Sequence, residues 1–264
     1  MKKVGLYSLW ALCLVGGLAS CAPQEIASSE KADGVPVHRF EVVATYPHDP
    51  RAFTQGLQFY DGVLYESTGL HGRSSLREVD YATGRVRRRV ELPARYFGEG
   101  IAVVGDRIYM LTWREQTGFI FDRHTFRQRG RFTYDGEGWG LAWDGTHLVM
   151  SDGTPQLRWL DLDNFEVVRI LEVTADGEPV GNLNELAWIE GALWANIFQS
   201  KRVARIDPQS GAVRAWIDFQ GIRGPDYQMG AQDVFNGIAY DAATGRILVT
   251  GKNWPYLYEV EIRP

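Results

Sequence analysis

Residues 97–113 read FGEGIAVVGDRIYMLTW, in which two apolar runs are separated by the turn residues Gly105 and Asp106. Short runs rich in Ile, Val and aromatic residues around a Gly-Asp turn predict a β-hairpin. Glu99 stands between two glycines just before the first run, where burying an unpaired charge would be costly. The stretch therefore predicts two strands and leaves the carboxylate at their start to be explained.

The chain repeats this pattern. Each copy has an apolar run, a turn that contains glycine and a second apolar run. The five copies are TQGLQFYDGVLYESTG (54–69), GEGIAVVGDRIYMLTW (98–113), GWGLAWDGTHLVMSDG (138–153), LNELAWIEGALWANIF (183–198) and FNGIAYDAATGRILVTGK (235–252). One position at the start of the first run holds glycine at 56, 100, 140 and 237 and glutamate at 185, so the unit recurs every 40 to 52 residues.

Two further strand-like runs follow each of the first four copies, as in LREVDYATGRVRRRVEL after the first. Four strands in a unit of this length are typical of a β-propeller blade. HRFEVVATY (38–46) precedes the first copy and LYEVEI (257–262) ends the fifth, and their pairing would complete a last blade without an open edge. We predict an all-β fold, a five-bladed β-propeller over residues 37–264 whose last blade is closed by the N- and C-terminal strands. A six-bladed ring is the alternative if residues 218–236 contain strands.

The start of the chain predicts export. Basic MKK precedes an apolar run, and LASC at 18–21 resembles a bacterial lipobox, so we predict a lipoprotein signal peptide over residues 1–20 and lipid on Cys21. An ordinary secretory signal is the alternative. Residues 21–36 are small and polar and predict a flexible tether. We expect an exported bacterial lipoprotein on the periplasmic side of the inner or outer membrane, held there through Cys21, and a monomer.

The net charge of −5, without a basic stripe, makes a nucleic-acid partner unexpected. Catalytic signatures based on a nucleophile or a metal are also missing. The sequence has no G-x-S-x-G and no H-E-x-x-H motif, and its five histidines lack metal-ligand spacing.

The repeat places two sets of side chains at one end of the predicted axis, because the first strand of each blade lines that axis. The residues at the entrances of the five first strands are Gln55, Glu99, Trp139, Asn184 and Asn236. The residues at the ends of the second strands are Gly69, Trp113, Gly153, Phe198 and Lys252, which antiparallel pairing returns beside the first set. Together the two sets contain one carboxylate, one ammonium, amides and aromatic rings. This combination favours a substrate pocket with general acid–base chemistry at Glu99. A polar channel filled with water is the alternative.

Several motifs then resemble a known family. They are FTQGL, FGEGIA, YMLTW, GEGWGLAWDG, NELAW, FNGIAYD and LVTGKNWP, and they span almost the whole predicted domain. Together they resemble the plant and bacterial type of glutaminyl cyclase, the glutaminyl-peptide cyclotransferases. The resemblance implies a five-bladed propeller that converts N-terminal glutamine of peptides or proteins to pyroglutamate and releases ammonia, without a metal or other cofactor.

The resemblance also implies roles for individual residues. Glu99 would be the proton shuttle, and Lys252 and Asn184 would polarise the side-chain carbonyl of the substrate. Gln55 would contact the backbone or amine of the substrate. The aromatic walls would be Trp113, Trp139, Phe53, Phe97 and Phe198. Plant members tend to carry Trp where this chain has Phe198, which removes an indole donor.

Two other functions fit the same residues. A metal-dependent, lactonase-type propeller hydrolase could use Glu99, Asn184 and Asn236 as oxygen ligands, although Lys252 would repel the cation. A non-catalytic propeller that binds peptides would need the pocket but not the acid–base group. Loss of turnover in Glu99→Gln would distinguish the enzyme from the binding protein.

Overall fold

The computed structural model describes residues 34–223 and 230–264, and these residues are all-β, with strands, turns and loops and no helix. The predicted signal peptide, Cys21 and most of the tether lie outside the described residues. Among the described residues, no helix is long and apolar enough to cross a membrane.

Strand β1 (Val37–Pro47) precedes three four-stranded antiparallel sheets, each formed by consecutive strands. The first sheet contains β2 (Thr54–Tyr60), β3 (Val63–Thr68), β4 (Ser75–Asp80) and β5 (Arg85–Glu91). The second contains β6 (Gly98–Val104), β7 (Arg107–Thr112), β8 (Thr117–Asp122) and β9 (Gln128–Thr133). The third contains β10 (Leu141–Trp143), β11 (Leu148–Met150), β12 (Gln156–Leu160) and β13 (Val167–Glu172).

A short hairpin and two further groups of strands complete the order. The hairpin is β14 (Thr174–Ala175) and β15 (Glu178–Pro179). The fourth group is β16 (Leu183–Ile189), β17 (Ala192–Ile197), β18 (Arg202–Ile206) and β19 (Val213–Asp218), and the fifth is β20 (Phe235–Asp241), β21 (Arg246–Gly251), β22 (Tyr256–Arg263) and β1. Parallel pairing of β1 with β19 joins these two groups into one eight-stranded sheet.

The terminal strands pair as the sequence predicted. β1 runs antiparallel to β22, with Phe40 opposite Ile262. His48, just after β1, extends this closure to the first sheet, since its Nδ1 donates to the carbonyl of Trp254 at 2.7 Å and its Nε2 lies 2.9 Å from Glu66 of β3. The described residues between β19 and β20 contain no strand.

The first strands of the five groups contact one another in a closed order. β2 contacts β6, β6 contacts β10, β10 contacts β16, β16 contacts β20, and β20 contacts β2. The apolar residues of these strands and of their sheet partners form clusters that lie between successive sheets. The entrances of the first strands therefore lie near one another.

Glu185 fills the repeat position that holds glycine in the other four copies. Its side chain is buried, and its two carboxylate oxygens accept backbone N–H groups from Leu57 of β2 at 3.2 Å and Ile238 of β20 at 3.1 Å. Burial raises the pKa of Glu185 well above its ordinary value, although the two N–H donors oppose the shift. The side chain thus connects the fourth group of strands to the first and the fifth.

Candidate active site

A cavity of ≈ 380 Å³ lies where the entrances of the first strands meet the ends of the second strands. Nine of the ten pocket residues expected from the sequence line it. They are Phe53, Gln55, Phe97, Glu99, Trp113, Trp139, Asn184, Phe198 and Lys252. The tenth, Asn236, does not line the cavity, because its amide is buried and donates to the backbone carbonyl of Thr54 at 3.0 Å.

The backbone around Glu99 is fixed by the neighbouring strands on both sides. Gly100 donates its N–H to the carbonyl of Trp139 at 2.7 Å, and a Cβ at Gly100 would lie only 2.6 Å from the backbone nitrogen of Leu141. On the other side, the hydroxyl of Ser67 donates to the carbonyl of Glu99 at 2.6 Å. The repeated glycine therefore allows the close approach between sheets that places Glu99 at the cavity.

Glu99 is nearly inaccessible to solvent, with 5% of its surface exposed. Gln55 Nε2 donates to Glu99 Oε1 at 3.0 Å. Burial raises the pKa of Glu99 well above its ordinary value, the positive charge of Lys252 opposes the shift, and the carboxylates of Glu115 and Glu137 add to it. The sequence left open which of burial and Lys252 dominates, and burial does. A carboxyl group with a raised pKa can both accept and donate a proton near neutral pH.

Lys252 brings a buried cation to the same cavity, and it too is 5% exposed. Its ammonium lies 4.9 Å from the centre of the Phe53 ring and 5.3 Å from that of Phe198, which is within cation–π range. No carboxylate of the described residues lies within the 4.0 Å ion-pair distance of this ammonium. Burial lowers the pKa of Lys252, and Glu99 opposes that shift. The ammonium is therefore available to a negative charge that develops on a bound substrate.

Glu137 holds the two tryptophans of the wall, a role that the repeat pattern did not reveal. Its Oε2 accepts the indole N–H of Trp113 at 2.7 Å and that of Trp139 at 2.9 Å, while Oε1 accepts from Arg114 at 2.9 Å. Partial burial alone would raise the pKa of Glu137, but the donors Trp139, Arg114 and Trp113 outweigh burial and lower it. One ionised carboxylate therefore orients both rings.

Edge-to-face contacts continue the aromatic wall on both sides. Phe97 lies between Phe53 and Trp113, with ring centres 6.1 Å and 5.6 Å away. Phe198 contacts Trp139 at 5.5 Å between ring centres. Phe198 thus keeps the wall and offers its face to Lys252, without the donor that an indole would add.

We expect Glu137→Ala to lower kcat/KM for the substrate that the motif resemblance implies, a peptide that begins with glutamine, by about tenfold or more, because two wall rings lose the acceptor that orients them. Steady-state kinetics and tryptophan fluorescence would measure the change. Glu137→Gln is the matched control, since its amide oxygen can still accept both indole N–H groups, and it should lose less. Kinetics of Glu137→Ala equal to those of the wild type would contradict this role.

The described residues offer no group of three His, Cys, Asp or Glu side chains placed to hold a metal ion. Five further residues line the cavity without having been singled out in the sequence. They are Leu70, Gln199, Ala231, Gln232 and Val234. Leu70 and Gln199 directly follow the aligned positions Gly69 and Phe198, and Val234 lies one position before the fifth copy. The repeat therefore places these three near the cavity, but their apolar and amide side chains gave no chemical signal that singled them out.

Comparison with known proteins decides the family. The family model described as glutamine cyclotransferase matches residues 12–262. The chain belongs to the glutamine cyclotransferase family. The family resemblance inferred from the motifs is therefore confirmed.

Two relatives illustrate this membership of the glutamine cyclotransferase family. The glutaminyl-peptide cyclotransferase of Arabidopsis thaliana is 41% identical over 231 residues, which cover 86% of this chain and 72% of that protein. The crystal structure of Myxococcus xanthus glutaminyl cyclase matches with a TM-score of 0.82 and 35% identity, over 87% of this chain and 98% of that one.

Proposed function

We propose that this protein is a glutaminyl-peptide cyclotransferase, which converts N-terminal glutamine of peptides and proteins to pyroglutamate and releases ammonia. Membership of the glutamine cyclotransferase family supports the activity. The observation that carries the assignment of the site is the buried Glu99, hydrogen-bonded to Gln55 in an aromatic cavity that also holds Lys252. Such a site suits a substrate that contains its own nucleophile and needs only proton transfer and charge stabilisation.

We propose that the five groups of strands are the blades of a five-bladed propeller. The closed order of contacts among their first strands and the pairing of β1 with β22 support this architecture. The cavity then lies at one end of the propeller axis. Since all five first strands converge there, one carboxylate can be surrounded by side chains from distant parts of the sequence.

The first chemical step joins the α-amine of the substrate to the carbon of its own side-chain amide. Glu99, as the carboxylate, takes the proton that the amine loses when the new C–N bond forms. The amide oxygen becomes negative, and Lys252 and Asn184 are the groups that stabilise it. The ammonium of Lys252 is buried, and a charge shielded from solvent interacts more strongly with the oxyanion than an exposed one would.

The second step expels ammonia. Glu99 returns its proton to the nitrogen of the former side-chain amide, the C–N bond to that nitrogen breaks, and the carbonyl of the lactam re-forms. The carboxylate is regenerated, so no other acid or base is consumed. A pKa raised by burial favours this use of one group in both directions.

Gln55 provides both a donor and an acceptor. Its Nε2 holds Oε1 of Glu99 at 3.0 Å, whereas its own Oε1 is buried and has no partner among the described residues. A buried acceptor without a partner is costly, and an N–H of the substrate amine would satisfy it. Gln55 would therefore hold the amine beside the base that deprotonates it.

The aromatic walls select the folded form of the substrate. Cyclisation requires the amine and the side-chain amide to approach each other, and a confined site favours such a near-attack conformer. Five aromatic rings restrict the volume available to the terminal residue. They belong to Phe53, Phe97, Trp113, Trp139 and Phe198. Only that residue needs to enter, so longer peptides are expected to react as well.

The two alternative functions are less well supported. A cation held by Glu99 and Asn184 would lie in the same cavity as the ammonium of Lys252, and Asn236 directs its amide to Thr54 instead. A protein that only binds peptides has no need for a carboxyl group with a raised pKa beside an unsatisfied amide.

We also propose that the protein is an exported bacterial lipoprotein, anchored through Cys21 on the periplasmic side of a membrane and monomeric. The basic start, the apolar run and LASC at 18–21 support this location. The mass of the mature protein tests it, because a lipid-bearing N-terminus should appear in the wild type and be lost in Cys21→Ser.

The reaction itself is tested with a pair of peptides that differ only at the amine. A peptide that begins with free glutamine should release ammonia and yield a product lighter by one ammonia, whereas the same peptide with an acetylated N-terminus should not react. Ammonia released from both peptides would indicate a hydrolase that attacks the side-chain amide with water. Ammonia released from neither by the folded protein would contradict the enzyme assignment.

A further inference from the structure

A second, strongly basic pocket of ≈ 180 Å³ lies beside the cavity, and we call it the arginine pocket. Its charged lining residues are Asp49, Arg51, Arg73, Arg77 and Arg89. The pocket lining thus contains four guanidinium groups and one carboxylate. This is a local excess of positive charge in a chain whose net charge is −5. Clusters of this kind recognise carboxylates and other oxyanions.

The acidic groups nearby neutralise only part of this charge. Asp49 contacts both Arg51, at 3.2 Å, and Arg77, at 3.1 Å, and the buried carboxylate of Glu66 lies 3.7 Å from Arg77 as well. Arg89 contacts Glu91 at 3.0 Å, with both side chains exposed to solvent. Arg73 has no carboxylate of the described residues within the 4.0 Å ion-pair distance, and it donates to the backbone carbonyl of Arg51 at 3.4 Å.

The strand register is a second, independent observation. Arg77 of β4 and Arg89 of β5 are directly opposite each other in the antiparallel pair. Like charges in this position destabilise a sheet, and Arg77 is moreover buried, with only 4% of its surface exposed. Asp49 and Glu66 offset part of this repulsion at Arg77, and a bound anion between the arginines would offset more of it.

The arginine pocket and the cavity are separated by one layer of residues. Gly69 lines the arginine pocket and the next residue, Leu70, lines the cavity. A Cβ at Gly69 would lie 2.3 Å from the ring of Phe97, which belongs to the cavity wall. On the other side, Arg51 of the pocket lies two positions before Phe53 of the wall.

We propose that the arginine pocket binds the carboxylate of an acidic side chain in the peptide substrate, a few residues after its N-terminal glutamine. This inference rests on the proposed function. An extended peptide advances by about 3.3–3.6 Å per residue, so a chain leaving the cavity reaches a neighbouring pocket within its next few positions. The enzyme then favours peptides with Asp or Glu near the N-terminus.

The test uses the full chain and amidated peptides that begin with glutamine and carry one Glu, or Gln as the control, at the second, third or fourth position. Amidation removes the C-terminal carboxylate, and a matched peptide acid measures what that group adds. At one position we expect the Glu peptide to have a kcat/KM about two- to fivefold higher, through a lower KM. The preference should shrink as salt is added.

Variants locate the effect. Arg73→Glu should abolish or reverse the preference, whereas Arg214→Gln, an exposed arginine on β19, should leave it unchanged. Equal kcat/KM for the Glu and Gln peptides at every position, or a preference that survives in Arg73→Glu, would overturn the proposal. A preference seen only for the peptide acid would assign the pocket to a C-terminal carboxylate and would also overturn it.

Failure of the proposed function would be recognised separately. A neutral dipeptide amide that begins with glutamine has no carboxylate for the arginine pocket, so the absence of its turnover would contradict the cyclase and not the pocket. In that case the proposal for the arginine pocket is tested by calorimetry, which measures the affinities of the Glu and Gln peptides for the wild type and for Arg73→Glu. Equal affinities would then overturn the proposal, and a Glu preference lost in Arg73→Glu would support it.

Discussion

Replacing Glu99 with glutamine should reduce turnover of a peptide that begins with glutamine by about 10²–10⁴-fold, the range for loss of a general acid–base group. Glutamine has the shape of the protonated carboxyl group, and it can remain beside Gln55, but it cannot carry a proton from the amine to the leaving ammonia. Because burial already favours the neutral form of Glu99, a neutral replacement should not unfold the protein. Substrate affinity should change much less than kcat.

Glu115 provides the matched control. Its carboxylate also raises the pKa of Glu99, but it accepts the backbone N–H of Phe97 at 3.3 Å and does not line the cavity. Glu115→Gln should therefore keep most of the activity and shift the acidic limb of the pH profile slightly to lower pH. A Glu99→Gln variant that keeps a tenth or more of the wild-type turnover would contradict the role of Glu99 as proton shuttle.

Lys252→Met should lower kcat/KM by about 10²–10³-fold, because the developing oxyanion loses its cationic partner. The pH dependence should also change. Glu99 must be ionised to accept the proton, so activity rises as the pH passes through its pKa, and the charge of Lys252 lowers that pKa. Removing the charge raises the pKa further, and the acidic limb of the profile should move to higher pH.

Lys252→Arg separates charge from position. It keeps a cation, so the acidic limb should stay near that of the wild type even if the larger guanidinium misplaces the substrate and reduces kcat. A Lys252→Met variant with the wild-type pH profile would show that the two groups are not coupled. Full activity in that variant would remove Lys252 from the reaction.

Much of the fold was predictable because its unit repeats. Alternating apolar runs and turn residues predicted the hairpins of all five copies and the two strands that follow each of the first four. They also predicted the pairing of the terminal strands. The position of Glu99 followed from the same repeat, since a residue at the entrance of a first strand must lie near its counterparts.

Departures from the repeat were harder to interpret, because they depend on contacts between sheets. Asn236 occupies an entrance position like that of Glu99, yet its amide is engaged by the carbonyl of Thr54 and it does not line the cavity. Glu185 replaces a glycine because its carboxylate accepts two backbone N–H groups from other sheets. Neither side-chain direction is encoded in the spacing alone.

For a similar reason, the sequence did not reveal which residues support the site. Glu137 lies two positions before Trp139 but 24 positions after Trp113, and only the folded chain brings its carboxylate to both indoles. Asp49 and the arginines of the arginine pocket come from two loops and two strands. Glu137 occupies the position that holds Phe53 and Phe97 in the first two copies, so the repeat gives its place near the cavity but not the contacts of its carboxylate.

The central claim is that a buried carboxyl group, without a metal ion, cyclises N-terminal glutamine. Ammonia release from a dipeptide amide that begins with glutamine, measured in the purified protein with and without a strong chelator, tests this claim most directly. We predict the same rate in both conditions, and release by Glu99→Gln that is slower by about 10²–10⁴-fold. Release that is lost with the chelator and restored by a divalent cation would contradict the account and transfer the chemistry to a metal.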